Sequence, residues 1–554
     1  MKKLWLFIAK RQALLIGIVV LAFVLRVYKV VEVPPALNWD EVSIGYNAYS
    51  VLKTGKDEWG QFLPLHFRSY GEYKLPAQIY ASIPGIAIFG LNDFGVRITP
   101  VIYGTITVLM LYFLTKALFQ NKSLALIAAF LLAISPWHLH LTRASFESSF
   151  SVLWVILGIW FLLKGFKNSR WWIASAIPFG IAVYTYNSAR VFVPLFLLAA
   201  FLIHKKEIFR QKKNFLLAGI VFMAFLVPLI PFSLKGEVSA RYKLVSISTE
   251  PGLVPRINER RGLSQLPGPL PRLVHNKVTY ITYYFVNNYL AHFMPDFLFI
   301  SGASHKQHHV QGVGQLYLIQ APFVLTGVYF LFKKKEKYRW LITAWILLAF
   351  VPVATTRDSI PHALRTVIAA PAYQILTAYG FWATTALTKK RKLKIAFWGL
   401  TTIILAFSFT GYLDNYYNKY PQLYSRDWQY GYKEAVSFVK EHYQEYDQIV
   451  FSRNYGEPHM FTLFYLNWDP SHYQNDPNLV RFQSHDWVWV TNFDKFYFPD
   501  LGDAGTQYSD IVRENPGKKL LFVGRPGDFP ENLKKLKEVN FLNGDVAFEI
   551  VEKI

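Results

Sequence analysis

The sequence predicts a polytopic α-helical membrane protein followed by a soluble α/β domain. Three observations lead there. The 554 residues are 53% hydrophobic and 17% aromatic but only 17% charged, too apolar a balance for an ordinary soluble protein of this length. The apolar residues fall in runs as far as about residue 413 and thin out afterwards. The net charge of +23 is carried largely by short Lys/Arg clusters between those runs, a distribution that the positive-inside rule explains better than nucleic-acid binding does.

The first element, MKKLWLFIAKRQALLIGIVVLAFVLRVYKV, has the charge order of a signal peptide. Its apolar part is long and lacks a small-residue cleavage site, so it reads as a retained anchor. Further apolar runs lie near residues 77–91, 97–118, 123–137, 147–164, 171–187, 190–204, 214–233, 316–332, 339–355, 366–387 and 393–412. A spanning helix needs about 20 apolar residues, so several of these are short. Basic clusters set the sides. Lys2, Lys3, Lys10 and Arg11 place the N-terminus in the cytoplasm. Lys164, Lys167 and Arg170 mark a second inner loop, and Lys205, Lys206, Arg210, Lys212 and Lys213 a third. KKKEKYR at 333–339 and KKRKLK at 389–394 do the same. Returning inside at Lys164 requires that one of the four runs before it not cross. The run 77–91 holds Gln78, Ser82 and the pair Pro84-Gly85, and is expected to lie at the outer surface. About 11 transmembrane helices follow.

On this topology the polar segments gather on the outer face. They are WDE at 39–41, GEYKLP at 71–76, SPWHLHLTRASFE at 135–147, YTYNSAR at 184–190, the loop 234–315 and TTRDSIPHALR at 355–365. A transporter would spread such groups near the midplane. The tail, also placed outside, mixes helix and strand patterns. WQYGYKEAVSFVKEHYQEY reads as an amphipathic helix, and QIVFS, WVWVTNF, KKLLFVG and VAFEIVEKI read as strands. The domains are therefore 1–413, with a large first external loop at 31–96, and 414–554.

The adjacent acids Asp40 and Glu41 have two compatible roles. Asp is a good helix N-cap and precedes the helical pattern VSIGYNAYSVLKTG. A carboxylate at a membrane–water boundary, flanked by Trp39 and Tyr46, also suits a general base. The external cations Arg68, Lys74, Arg97, Arg143, Arg190, Arg357 and Arg365 lie on the side that the positive-inside rule disfavours. Together they suit an anionic phosphate headgroup. Ion pairs with Asp40, Glu41, Glu72 and Glu147 are the structural alternative. His138, His140 and His362 suit hydrogen bonding to a substrate. His-x-His near a carboxylate is also a pattern that binds divalent metal, but no third ligand adjoins it. Cysteine is absent, which excludes disulfides and thiolate metal sites. There is no P-loop, dinucleotide fingerprint or nucleophile elbow. An external enzyme without a nucleotide motif needs an activated donor that exists outside, and a lipid phosphate-linked sugar meets that need.

WDE after the first helix, GEYKLP, and an apolar run ending in LNDFGVR resemble the dolichyl-phosphate-mannose–protein mannosyltransferase superfamily, which includes family 39-like enzymes and aminoarabinose lipid A transferases. SPWHLHLTRASFE, YTYNSARVFVP, HFMPDFLFISG and IPHALR look like motifs of its bacterial members, so the resemblance covers about residues 10–415. It implies a GT-C fold with surface-lying helices in the first loop and a polyprenyl-phosphate-sugar donor. By that match Asp40 is the base toward the acceptor, with Glu41 its neighbour at the sugar or acceptor. Lys74 lies near the donor phosphate and Arg143 is tied to activity, while Arg190 and Arg365 are further donor contacts. Glu72, His138, His362 and Tyr46 complete the expected donor site. The expected partners are the lipid donor, a glycan, lipid or protein acceptor, and the bilayer. No nucleic acid and no required cofactor are expected, and a divalent metal is the one addition left open. Direct displacement predicts inversion at the anomeric carbon. The competing functions are an oligosaccharide ligase or polymerase of the same architecture and a lipid or polysaccharide transporter.

Overall fold

The computed structural model describes residues 2–484, 487–502 and 505–553, with side chains from Arg11 onward. By internal contacts the chain divides into two units. One comprises Met1–Tyr28, Pro100–Thr142 and Glu147–Leu413, and the other Lys29–Thr99, Arg143–Phe146 and Asp414–Ile554.

The first unit is almost entirely helical. Among the described residues three helices are long and apolar enough to cross a membrane by length and composition: Asp93–Phe119, Glu147–Gly165 and Arg391–Tyr424. Other apolar runs fold as shorter helices, namely Lys122–Ala133, Arg170–Val183, Leu318–Lys333 and Arg339–Ala354 in this unit and Pro76–Phe89 in the second. Prolines and short breaks divide the longer runs. Pro136 starts a new helix, Pro136–Leu141, after Lys122–Ala133, since proline is favoured in a first helical turn. On the last long helix Ile403 and Phe407 are 68% and 80% exposed. Such an apolar surface is unfavourable in water and favourable in hydrocarbon. Two neighbouring helices meet backbone to backbone. A Cβ on Gly380 would stand 1.9 Å from the Phe323 carbonyl oxygen, and one on Gly327 2.3 Å from that of Leu376. Small residues at contact points are what allows membrane helices to pack this closely.

The second unit holds a seven-stranded mixed sheet. Its strands are β1 (Gln448–Phe451), β2 (Val480–Ser484), β3 (Trp487–Phe493), β4 (Phe496–Tyr497), β5 (Leu520–Gly524), β6 (Lys535–Asn540) and β7 (Val546–Lys553). Their order is β2-β3-β4-β1-β5-β7-β6. β1 runs parallel to β4 and β5, and the other pairs are antiparallel. The four strands expected from sequence are present. β2, β4 and β6 were not expected, because β2 and β6 are polar edge strands and β4 has two residues. The expected helix over 428–446 is shorter, at Tyr432–Glu441, since Gly431 just before it takes φ 101°.

Segment 29–99 folds onto this sheet domain within the same unit. Helix Trp39–Thr54 sets Val42, Ile44 and Ala48 into one core with Met460, Phe461, Phe464 and Phe493. A Cβ on Gly45 would lie 2.6 Å from the Phe464 ring and 2.7 Å from a Val96 methyl, so only glycine lets the tail pack this closely on the helix. Helix Pro76–Phe89 belongs to this unit as well. The candidate acid Asp40 therefore stands on a helix clamped on several sides.

Candidate active site

The N-terminus of helix Trp39–Thr54 separates the two acids. Its N-cap is Asn38, whose side-chain oxygen accepts from the amides of Asp40 and Glu41. Asn38 and not Asp40 thus caps the helix. Glu41 closes the capping box by accepting from the Asn38 amide at 3.3 Å, a reciprocal arrangement that satisfies two otherwise orphan donors. Successive helical residues point about 100° apart, so the two carboxylates face different ways.

Glu41 faces inward and is fully buried. Arg97 grips it with two bonds, Nε to Oε1 at 3.0 Å and Nη2 to Oε2 at 2.9 Å. The Ser145 amide donates to Oε1 at 2.9 Å. Arg97 also donates to the carbonyls of Val30 at 2.9 Å and Pro34 at 2.7 Å, and to that of Ala36. The Glu41–Arg97 pair thereby ties segment 30–36 and residue 145 to the helix start. The role expected for Glu41 at the sugar or acceptor does not fit this placement, because both its oxygens are enclosed and engaged.

Asp40 faces outward. Its side chain is 35% exposed and takes a hydrogen-bonded ion pair from Lys74, whose own side chain is 4% exposed. A two-residue antiparallel ribbon sets Lys74 opposite Phe67. Glu72 is half-buried in the turn of that ribbon, where its carbonyl accepts from the Ser69 amide at 2.8 Å. Tyr46 lies farther along the helix and points into the core. It is buried against Tyr473 and donates to the Trp468 carbonyl at 3.3 Å. Arg143 is buried too. It donates to the carbonyls of Val33 at 2.7 Å and Lys29 at 3.2 Å, and lies over the rings of Tyr416 and Tyr417. These contacts make Tyr46 a packing residue and Arg143 a brace of segment 29–33.

Sequence reasoning passed over two acids beside Asp40. Glu58 is buried, accepts from the Asn47 amide at 3.1 Å, and is pushed up to about 7 by burial. Glu457 accepts from the Trp487 indole at 2.6 Å and lies 3.4 Å from His459 Nδ1. Burial, with the charges of Glu58 and Asp40 adding to it, pushes Glu457 up to about 8. KDEWG and YGEPHM look like solvated loops in sequence, and only folding encloses them. Both carboxyls keep their protons in the folded protein well above 4.5, where they ionise in the unfolded chain. Their contribution to stability is complete below 4.5 and is lost as pH rises through about 7 and 8. The melting temperature is expected to fall between pH 5 and pH 9, as read by calorimetry. Glu457→Gln is expected to flatten part of that fall, and a flat wild-type profile would refute the assignment.

The other expected site residues lie in the first unit. His138 is buried, and its Nδ1 accepts from Arg26 at 2.8 Å. That engages one ring nitrogen of the residue expected to hydrogen-bond a substrate. Arg190 and Arg365 line one cavity of about 300 Å³ with Arg241, Tyr242, Asn187 and Thr356. Arg365 donates to Asp358 at 2.8 Å and to Thr356 at 2.9 Å. Arg241 was missed because it sits in the long loop 234–315 with no motif around it. His362 caps the turn before Arg365, accepting from its amide at 3.4 Å. The His362 ring stacks on His308 with centroids 5.1 Å apart, and His308 on His305 at 3.7 Å. Among the described residues no three His, Cys, Asp or Glu side chains are arranged to hold a metal ion.

Comparison with known proteins adds to this geometry. The family described as dolichyl-phosphate-mannose-protein mannosyltransferase matches residues 78–232. No curated protein sequence matches. Among solved structures, the chain resembles the oligosaccharyltransferase AglB of Archaeoglobus fulgidus, in complex with an inhibitory peptide and a dolichol-phosphate. The TM-score is 0.51 and the identity 14%, over 83% of this chain and 64% of that one. This chain thus spans under two thirds of the archaeal enzyme's length. It also resembles ArnT of Cupriavidus metallidurans bound to undecaprenyl phosphate. Here the TM-score is 0.52 and the identity 12%, over 99% of this chain and 98% of that one. The chain has the GT-C fold of polytopic membrane glycosyltransferases. The likeness to ArnT runs over nearly all of both chains.

Proposed function

We propose that this protein is an integral-membrane glycosyltransferase that moves a sugar from a polyprenyl-phosphate donor to an acceptor hydroxyl on the external face of the cell membrane. The observation that carries this is the solvent-reaching Asp40 carboxylate, paired to a buried Lys74 and fixed by the Glu41–Arg97 pair beneath it. Asp40 takes the acceptor hydroxyl proton as the oxygen bonds to the anomeric carbon. The bond from that carbon to the phosphate oxygen breaks, polyprenyl phosphate departs with the electron pair, and the carbon inverts. Lys74 supplies positive charge beside Asp40. In the first unit Arg190, Arg241 and Arg365 form a cationic wall suited to a phosphate. The same unit has an apolar cavity of about 500 Å³ lined by Leu298, Val324, Leu325 and Leu347, a lining that suits an isoprenoid chain. The acceptor is a glycan, lipid or protein hydroxyl. This reading requires no cofactor, and a divalent metal is the one addition it leaves open. Transfer of a preassembled oligosaccharide is the second reading, favoured by the likeness to the archaeal oligosaccharyltransferase.

The test is transfer of radiolabel from polyprenyl-phosphate sugars to a mixed acceptor extract by the purified protein. Arg365→Ala is expected to weaken polyprenyl-phosphate binding by about 10- to 100-fold, since charged hydrogen bonds are worth about 1.5–3 kcal/mol. Unchanged lipid affinity would remove this cavity from the donor site.

About eleven crossings, a cytoplasmic N-terminus and an external second unit complete the proposal. Helix Pro76–Phe89, grouped with the sheet domain, supports a non-crossing segment there. The chain has no cysteine, so single cysteines report topology cleanly. Gln61→Cys, on an exposed loop, is expected to react with a membrane-impermeant maleimide in intact cells. Lys390→Cys is expected to react only after permeabilisation, and the reverse pattern would invert the topology.

A further inference from the structure

The antiparallel strands β2 and β3 of the second unit carry aromatic side chains that neither the core nor the chemistry at Asp40 uses. Along β3, Val488 and Val490 are buried, while Trp487 and Trp489 alternate to the opposite, half-exposed face. β2 is the edge strand of the sheet, and its register puts Phe482 opposite Trp489. Phe482 is 36% exposed. Arg453 lies over both rings, 5.4 Å from the Phe482 centroid and 5.0 Å from that of Trp489. A large ring held open on an edge strand, as Phe482 is, is unfavourable without a ligand, since edges are ordinarily blunted with charge or covered.

This face is continuous with the candidate active site. Trp489 lies 5.8 Å from Trp487, and Trp487 stacks on Tyr70 at 5.9 Å with an interplanar angle of 18°. Both Tyr70 and Trp487 contact Trp39, at 6.3 Å and 6.2 Å, and Trp39 immediately precedes Asp40. The row is rigid. The Trp487 indole is held by buried Glu457 at 2.6 Å, and the Tyr70 hydroxyl donates to the Trp39 carbonyl at 3.0 Å. A row of fixed aromatic faces leading away from a base, edged by one guanidinium, matches a chain of pyranose rings. Each sugar offers an apolar C–H face to a ring and hydroxyls at its rim to an arginine. A lipid phosphate would call for several cations, and this face has Arg453 alone among its named contacts.

We infer that the aromatic face formed by Trp487, Trp489 and Phe482 with Arg453 is a carbohydrate subsite, which seats the oligosaccharide part of the acceptor and leads its terminal hydroxyl to Asp40. The assignment of that oligosaccharide as acceptor rests on the glycosyl-transfer reading above, whereas carbohydrate binding itself does not.

The test is saturation-transfer NMR on the full-length protein in detergent. The probes are three soluble tetrasaccharides: a neutral glucan, an N-acetylhexosamine oligomer and a uronate. At least one is expected to bind. Its affinity is expected to fall about tenfold in Trp489→Ala and in Phe482→Ala, and to hold in Trp489→Phe. Thermal melts establish that each variant is folded. Phe482→Ala, on the exposed edge strand, decides the matter if Trp489→Ala does not fold. No binding by any tetrasaccharide, or unchanged binding in folded Phe482→Ala, overturns the subsite. Binding of an unglycosylated polypeptide in place of every sugar also overturns it, in favour of a peptide surface. Sugar binding that depends on Trp489, in a protein that transfers nothing from any lipid-linked donor, supports the subsite and refutes the glycosyltransferase reading instead.

Discussion

Asp40→Asn is expected to lower sugar transfer by about 10²–10⁴-fold, the usual worth of a positioned general base. Polyprenyl-phosphate binding and the melting temperature are expected to change little. Asn keeps the shape of the side chain and still accepts a hydrogen bond from Lys74, while losing the ability to take a proton. Asp40 is one-third exposed at the start of the helix, and the capping of that helix belongs to Asn38. The substitution therefore leaves the helix terminus intact. The measurement is a single-turnover transfer assay beside a thermal melt. Turnover near the wild-type level would remove Asp40 as the base. Loss of transfer together with a collapsed melt would make the Asp40–Lys74 pair structural.

Arg97→Leu has the opposite signature. Arg97 is wholly buried, holds Glu41 by two bonds and braces the carbonyls of residues 30, 34 and 36. Its removal leaves a buried carboxylate and several carbonyls unmatched. Breaking one side of a buried pair costs about 3–5 kcal/mol. The second unit is expected to unfold at a markedly lower temperature, with transfer lost as a consequence. Glu41→Gln keeps the packing and loses the charge, so a smaller loss is expected. Removing both charges in Arg97→Leu with Glu41→Leu is expected to recover part of the stability, since an apolar pair of similar volume is often neutral at such a site. A stable, inactive Arg97→Leu would mean instead that Arg97 contacts substrate. Asp40 and Glu41 are neighbours in sequence, so the contrast between these variants separates chemistry from scaffolding within one dipeptide.

Much of the architecture was legible because its causes are local or compositional. Apolar runs become helices in or near the membrane because a buried backbone must satisfy its own hydrogen bonds. Strands such as Leu520–Gly524 are continuous apolar runs that only a central position can bury. The pair at 40–41 stood out because two acids beside an apolar anchor need a reason to be there. WDE and GEYKLP were each recognisable, but their pairing was not. The Asp40–Lys74 contact bridges 34 positions, and nothing in either segment specifies the turn that closes it.

What the sequence by itself determined was the class of the chain, its apolar helical runs with four strands of the sheet, and the acid pair at the candidate site. The tertiary structure alone decided which acid is buried and which reaches solvent. It turned Glu41, Arg143 and Tyr46 inward, enclosed Glu58 and Glu457 in loops that look solvated, and joined segment 29–99 to the tail as one unit. The reason is that exposure is a property of packing between distant segments. A carboxylate or guanidinium reads the same in sequence whether it meets water or a partner far along the chain. Only the folded contacts determine whether its charge serves chemistry or holds the scaffold together.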